Sequence, residues 1–184
     1  ITGYIIKSNH INDGSKLNVK LVQPNVSLFE KRQSLKKSLN KLINLSLETS
    51  NEFIDLIIWP ESSISGLFFK DDHYNSNLSL NMNNFLKSNQ FSLVAGSDIK
   101  IDGKRYNSSL LFKSDSIIDM FHKQKLVPNV ERTPSFFNKI GLDIGISNFD
   151  IGTKLTMFSI NDINFASMIC IESVFPDITR KFVN

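Results

Sequence analysis

Apolar and polar positions alternate along the chain in blocks whose period changes from strand-like to helix-like and back. Leu17-Asn-Val-Lys-Leu-Val-Gln23 has the apolar content of a strand, closed by Pro24-Asn25. From Leu28 to Leu47, Leu35, Leu39, Leu42 and Ile43 recur at i, i+4, i+7 and i+8 with Lys and Asn between them. That spacing predicts an amphipathic helix covering one face of a sheet. Phe53 to Trp59 is almost continuously apolar, as in a strand buried on both faces. The Asn-rich stretch from Lys70 to Asn84 reads as a loop leading into a short helix around Phe85, and Phe91 to Gly96 as a third strand. Tyr106–Phe112 and Ser116–Lys123 predict an antiparallel pair across Lys113-Ser-Asp115. Residues 124–153 are punctuated by Pro and Gly without periodicity, a length that in compact domains usually serves function. Leu155–Ile160 and Ile163–Cys170 read as a last hairpin across Asn161-Asp162, and the chain ends in what reads as a helix from Ile178.

Alternating strands and helices followed by hairpins predict an α/β layered sandwich with a mixed sheet and disfavour a purely parallel doubly wound fold. Neither common Gly-rich phosphate loop is present. Residues 1–16 turn polar after the first six and read as a leader or linker, with a single domain over 17–184. Both ends of the chain read as cuts, and the domain as truncated at its C-terminal side.

Composition narrows the partners. Apolar residues make up 41% and charged residues 21% of the 184, ordinary for a globular chain. The balance of 21 basic against 18 acidic residues, a net of +3, is diffuse and argues against nucleic acid. One cysteine excludes an intramolecular disulfide, and three scattered histidines (His10, His73, His122) make no zinc pattern. No stretch reaches the roughly 18 apolar residues that would span a bilayer.

Three apolar runs end in chemistry-bearing residues. Leu56-Ile-Ile-Trp-Pro60 delivers Glu61, Ser116–His122 delivers Lys123, and Phe165–Ile169 delivers Cys170. The C-terminal edge of a sheet is where open α/β proteins place such groups. A lone cysteine is by default a buried, inert hydrophobe, but this one ends its strand with a carboxylate two residues on. A thiol becomes a useful nucleophile near a base or a positive charge, and Glu61 and Lys123 offer one of each. Glu61 follows the apolar pair Trp59-Pro60, which partly desolvates it and favours a general-base role. Lys125 rivals Lys123, since strand alternation puts both on one face.

At these residues the sequence resembles the nitrilase (carbon–nitrogen hydrolase) superfamily, through Trp59-Pro60-Glu61, Lys123-Gln-Lys-Leu-Val-Pro128 and Cys170-Ile-Glu172 in that order. Within it the chain is most similar to the catalytic domains of the apolipoprotein N-acyltransferase family. The stretches that carry this are Leu21-Val-Gln-Pro-Asn25, Tyr106-Asn-Ser108, Leu126–Pro134 and Ile169–Pro176. The resemblance implies a nitrilase-like αββα sandwich and a Glu61–Lys123–Cys170 triad, with Lys123 and not Lys125 as the family lysine. It implies Glu131 and Glu172 as supporting acids that orient Lys123 and hold its charge, against a reading of Glu131 as a loop acid paired with Arg132. No cofactor and no metal are implied.

The partners it implies are a phospholipid acyl donor, a diacylglyceryl lipoprotein acceptor and a membrane. The place is the periplasmic side of a bacterial inner membrane. Phe68, Phe69, Phe136 and Phe137 lie in the two long loops, as core plugs or as apolar arms toward lipid. Two departures stand out: Ile171 where the family often has Tyr, and Asn129 where Gly is common. The rival readings are a soluble amidase of the same superfamily acting on a small amide, and a non-catalytic binding module on the same fold.

Overall fold

The computed structural model describes residues 14–27, 34–48, 53–65, 76–128, 130–132 and 148–183. Strands β1 (Val19–Leu21), β2 (Leu56–Ile58), β3 (Ser92–Ile101), β4 (Lys104–Lys113) and β5 (Ser116–His122) form one sheet in that order. β1–β2 and β2–β3 pair in parallel, β3–β4 and β4–β5 antiparallel. A second, two-stranded sheet is the hairpin of β6 (Met157–Ile160) and β7 (Ile163–Ala166). Helices α1 (Leu35–Leu47) and α2 (Ser76–Lys87) stand between parallel strands, as crossovers must. A 3-10 turn at Cys170–Val174 leads into α3 (Pro176–Val183).

Strand alternation divides the core in two. Ile57, Trp59, Leu93, Ala95, Leu110 and Phe112 pack against Leu39 and Leu42 of α1 and Met82, Phe85 and Leu86 of α2. Leu56, Val94, Leu111 and Phe121 point the other way, onto Phe158 and Ile160 of the hairpin, Ile169 and Phe182 of α3. Each such Leu or Phe contributes about 1.5–3 kcal/mol on burial, so both faces of the sheet are covered by strong apolar contacts. The α/β class and the mixed sheet agree with the sequence expectation.

Several boundaries differ from that expectation, each for a physical reason. β3 runs on past Gly96 to Ile101, because Ser97 and Asp98, which read as a strand end, are buried in the ladder and Asp98 meets Arg105 of β4 at 2.6 Å. Asp102 and Gly103, both at positive φ, then make the hairpin turn. α2 begins inside the Asn-rich stretch, since Met82, Phe85 and Leu86 give it a buried stripe that outweighs weak local propensity. β7 stops at Ala166, so Cys170 opens a turn and does not end a strand.

The predicted first turns of α1 over 28–33, Asn129, Phe68, Phe69, Phe136 and Phe137 lie outside the described residues. Among the described residues no helix is long and apolar enough to cross a membrane.

Candidate active site

Trp59 anchors the end of β2. Its indole nitrogen donates to Ser46 Oγ of α1 at 2.8 Å, and its ring stacks on Phe85 of α2 at 5.5 Å. The chain then turns through Pro60–Ser65 across β3. Gly96 N donates to Pro60 O at 3.3 Å, and Ile64 N and Ser63 Oγ return bonds to Gly96 O at 3.1 and 3.2 Å. Gly96 is required by this crossing: a Cβ there would lie 2.6 Å from Glu61 Cα and from Ser62 N. The glycine lets the Glu61 turn rest directly on β3.

Lys123 follows β5 without a break. Its amide donates to Asn107 O at 2.8 Å, and its carbonyl accepts from Gly152 N at 2.8 Å. A side chain at Gly152 would collide with the backbone of His122, so the 148–152 segment lies flat against the strand end. His122 is fixed beside it, stacked on Tyr106 at 4.4 Å and hydrogen-bonded through Nδ1 with Ser108 Oγ at 2.8 Å.

The lysine side chain is 1% exposed and points into a nest of acids. Lys123 Nζ donates to Glu131 Oε1 at 2.9 Å and to Glu61 Oε1 at 3.2 Å. Asn107 Nδ2 reaches the same two oxygens, at 2.8 Å on Glu131 and 2.7 Å on Glu61. Glu131 Oε2 accepts from Val127 N at 2.8 Å, which ties its loop back on itself.

Burial alone would lower the Lys123 pKa, but the hydrogen bond to Glu131 and the charges of Glu61 and Glu131 more than offset it and raise it. For Glu131, desolvation pushes upward, and the Lys123, Val127 and Asn107 hydrogen bonds with the Lys123 charge bring its pKa below the ordinary value. The lysine therefore stays charged beside an ionised Glu131. Of the two acids, Glu61 is the more exposed.

Cys170 is exposed and sits at φ 52, a left-handed backbone that costs a non-glycine residue about 1–2 kcal/mol. Among the described residues no hydrogen bond joins its thiol to Glu61 or Lys123. The turn that carries it is nonetheless locked to the lysine's strand end by Glu172. This carboxylate is fully buried; Oε1 accepts from Gln124 N at 2.7 Å and Lys125 N at 3.2 Å, and Oε2 from Ile169 N at 2.8 Å. One acid thus ties the residues that directly follow Lys123 to the one that directly precedes Cys170.

Two sequence expectations change here. Glu172 does not touch Lys123; it holds backbone, because its side chain is enclosed among amide donors of two loops. Glu131 does pair with Lys123, and the reading of it as a partner of Arg132 falls. Lys125 lies outside the cluster. Its Nζ meets Asp177 Oδ2 at 3.3 Å and stands 5.2 Å over the Phe175 ring, since β5 ends at His122 and strand alternation no longer governs it. Asn107 went unread as a site residue; its signal is a polar amide within the buried run of β4.

The carbon–nitrogen hydrolase family model matches residues 18–184. The chain is similar to apolipoprotein N-acyltransferase 2 of Treponema denticola, 28% identical over 204 aligned residues that take in 100% of the chain and 38% of the relative. It is likewise similar to the apolipoprotein N-acyltransferase of Aquifex aeolicus, at 25% over 99% of the chain and 42% of the relative. The chain thus spans about two fifths of the length of these relatives. Among solved structures, a carbon–nitrogen hydrolase from Helicobacter pylori superposes with a TM-score of 0.61 over 90% of this chain and 55% of that one, at 17% identity. A CN-hydrolase superfamily protein from Xanthomonas campestris gives 0.59 over 88% and 56%, at 15% identity. With one family model running unbroken through the Glu61 turn, the Lys123 strand end and the Cys170 turn, on a fold its solved members share, the chain belongs to the carbon–nitrogen hydrolase family.

Proposed function

We propose that this chain is the catalytic domain of an apolipoprotein N-acyltransferase, with Cys170 as nucleophile, Glu61 as general base and Lys123 as the fixed positive charge. In this reading an acyl chain passes from a phospholipid to Cys170, and from there to the α-amino group of a diacylglyceryl-cysteine lipoprotein. The observation that carries it is the Glu172 bridge: a buried acid ties an exposed, strained cysteine turn to the strand end of a sealed lysine that pairs with Glu61 and Glu131. Similarity to curated N-acyltransferases over nearly the whole chain supports the choice of acyl transfer within the family.

The steps balance as follows. Glu61 takes the thiol proton of Cys170, and the sulfur attacks the carbonyl carbon of the sn-1 ester. Lys123 and nearby backbone N–H groups stabilise the oxyanion that forms. The ester C–O bond then breaks, the departing glycerol oxygen takes the proton back from Glu61, and a thioester remains on Cys170. The lipoprotein amine attacks that thioester and gives one proton to Glu61; the C–S bond breaks, the amide is released, and the leaving Cys170 sulfur takes that proton from Glu61. Glu131 and Asn107 shape the cluster without exchanging protons with substrate.

Substrates carried by lipid put the site at a membrane surface, in this reading the periplasmic side of a bacterial inner membrane. Val130, before Glu131, and Val174, four residues past Cys170, expose apolar side chains next to the site that would meet acyl chains.

Incubating the purified protein with phospholipid vesicles and mapping Cys170 by peptide mass spectrometry tests the proposal. The expected result is an acyl adduct on Cys170 that a diacylglyceryl-cysteine peptide discharges. An unmodified Cys170, under conditions where a control N-acyltransferase is acylated, would overturn it. Hydrolysis of small amides in place of acylation would move the chain to the amidase reading.

A further inference from the structure

We propose that the cavity beside Glu61 is the subsite for the peptide acceptor, with the amine of its N-terminal cysteine at Glu61 and the residues that follow inside. The inference rests on the acyl-transfer reading above and names where its second substrate sits. The cavity has a volume of about 230 Å³ and lies between the loop after β1, one face of α1 and the Glu61 turn.

Its wall decides the class of guest. Gln23, Asn25, Ser38 and Ser63 line it with neutral amides and hydroxyls, Leu42 adds an apolar patch, and Glu61 is its one ionisable residue. No lysine, arginine or histidine is among the residues that line it. A phosphodiester would enter beside an acid with no cation to balance it, which is unfavourable. An amine meets the complementary group. In the proposed reaction the donor carries a phosphate, and a headgroup amine would bring that phosphate close behind it. The acceptor carries the amine without the phosphate, so the wall selects the acceptor.

The bonding of Glu61 fits such a guest. Oε1 accepts from Lys123 Nζ at 3.2 Å and from Asn107 Nδ2 at 2.7 Å. Oε2 has no hydrogen-bond donor among the described residues, and the side chain is 34% exposed. That oxygen is left for an incoming amine and, in the transfer step, for its proton. Neither Cys170 nor Lys123 lines the cavity, so its guest is the part of a substrate that adjoins the reacting atoms. For the acceptor that part is the peptide backbone, and the amides and hydroxyls of the wall can both donate to its C=O and accept from its N–H.

Vesicles of phosphatidylglycerol, whose headgroup has no amine, load Cys170; discharge of the thioester is then followed against acceptor concentration. In the wild-type protein, diacylglyceryl-cysteine extended by two residues should reach half its maximal rate at about tenfold lower concentration than diacylglyceryl-cysteine amide, the effect of one or two added hydrogen bonds. Equal values would overturn the proposal. Gln23→Trp fills the cavity and should erase that difference by weakening the extended acceptor, while thioester formation keeps its rate. Val26→Trp, on the same wall, gives the same reading from a second position. Slower thioester formation with unchanged acceptor half-saturation in both variants would assign the cavity to the donor and overturn the proposal. A wild-type protein that forms no thioester would sink the acyl-transfer reading and this subsite with it. A thioester that both acceptors discharge alike would remove the subsite alone.

Discussion

Lys123 and Cys170 sit on segments bound to the same buried acid, yet one is sealed and the other open. The lysine is 1% exposed and has two acids around it, with Asn107 bonded to both. The cysteine is exposed, its backbone is in the left-handed region, and its thiol has no hydrogen bond to Glu61 or Lys123. Folding thus completes the charge cluster by itself and leaves the proposed nucleophile on an open turn.

The largest effect that would expose this difference comes from Lys123→Met. The buried Glu131 would be left without its ion-pair partner beside the exposed Glu61, and losing one partner of a buried ion pair costs about 3–5 kcal/mol. Urea unfolding should show it, whereas Cys170→Ser should stay within about 0.5 kcal/mol of wild type. Equal losses at both positions would abolish the comparison.

Gly96→Ala comes next. Its new methyl would overlap the Glu61 and Ser62 backbone, and the forced shift should cost about 1–3 kcal/mol and displace Glu61. Thermal unfolding together with the Cys170 alkylation rate measures both parts; a stable variant with a slow thiol would tie this glycine to the base alone.

The pH dependence of stability sharpens the cluster side further. Glu131 has its pKa lowered from 4.5, so its contribution is fully present above that value and is lost as pH falls through the lower folded one. Lys123 has its pKa raised from 10.5, so its contribution is present below that value and is lost as pH rises through the higher folded one. Between these limits the cluster holds its full effect. Glu131→Gln should flatten the acid side of a stability–pH curve, whereas Cys170→Ser should leave that side as in wild type. The smallest effect is Cys170→Gly, which relieves the positive φ and should add about 1 kcal/mol or less while abolishing acylation.

Glu61 and Lys123 were legible in the sequence because each follows an apolar run that also reads as a strand, and the run's end fixes where the side chain stands. The two faces of the core were legible for the same reason: Ile57 and Leu93 against Leu56 and Val94 follow a period of two. Glu172 and Asn107 were not legible in their roles. Their bonds join β4, the 124–125 backbone and the Cys170 turn, segments up to 48 residues apart, and contacts of that kind leave no periodic trace. The length of β3 was hidden by Ser97 and Asp98, whose polarity is satisfied only once Arg105 pairs across the strand. Local pattern shows where a chain turns and what it buries; it does not show which remote amide an acid will hold.

The account stands most directly on one rate, the acylation of Cys170 by phospholipid in Glu61→Gln compared with wild type. Removing the base should slow that step by about 10²–10⁴-fold while leaving the protein folded. Acylation of the folded variant at close to the wild-type rate would contradict the claim that the Glu61–Lys123–Glu131 cluster activates this thiol.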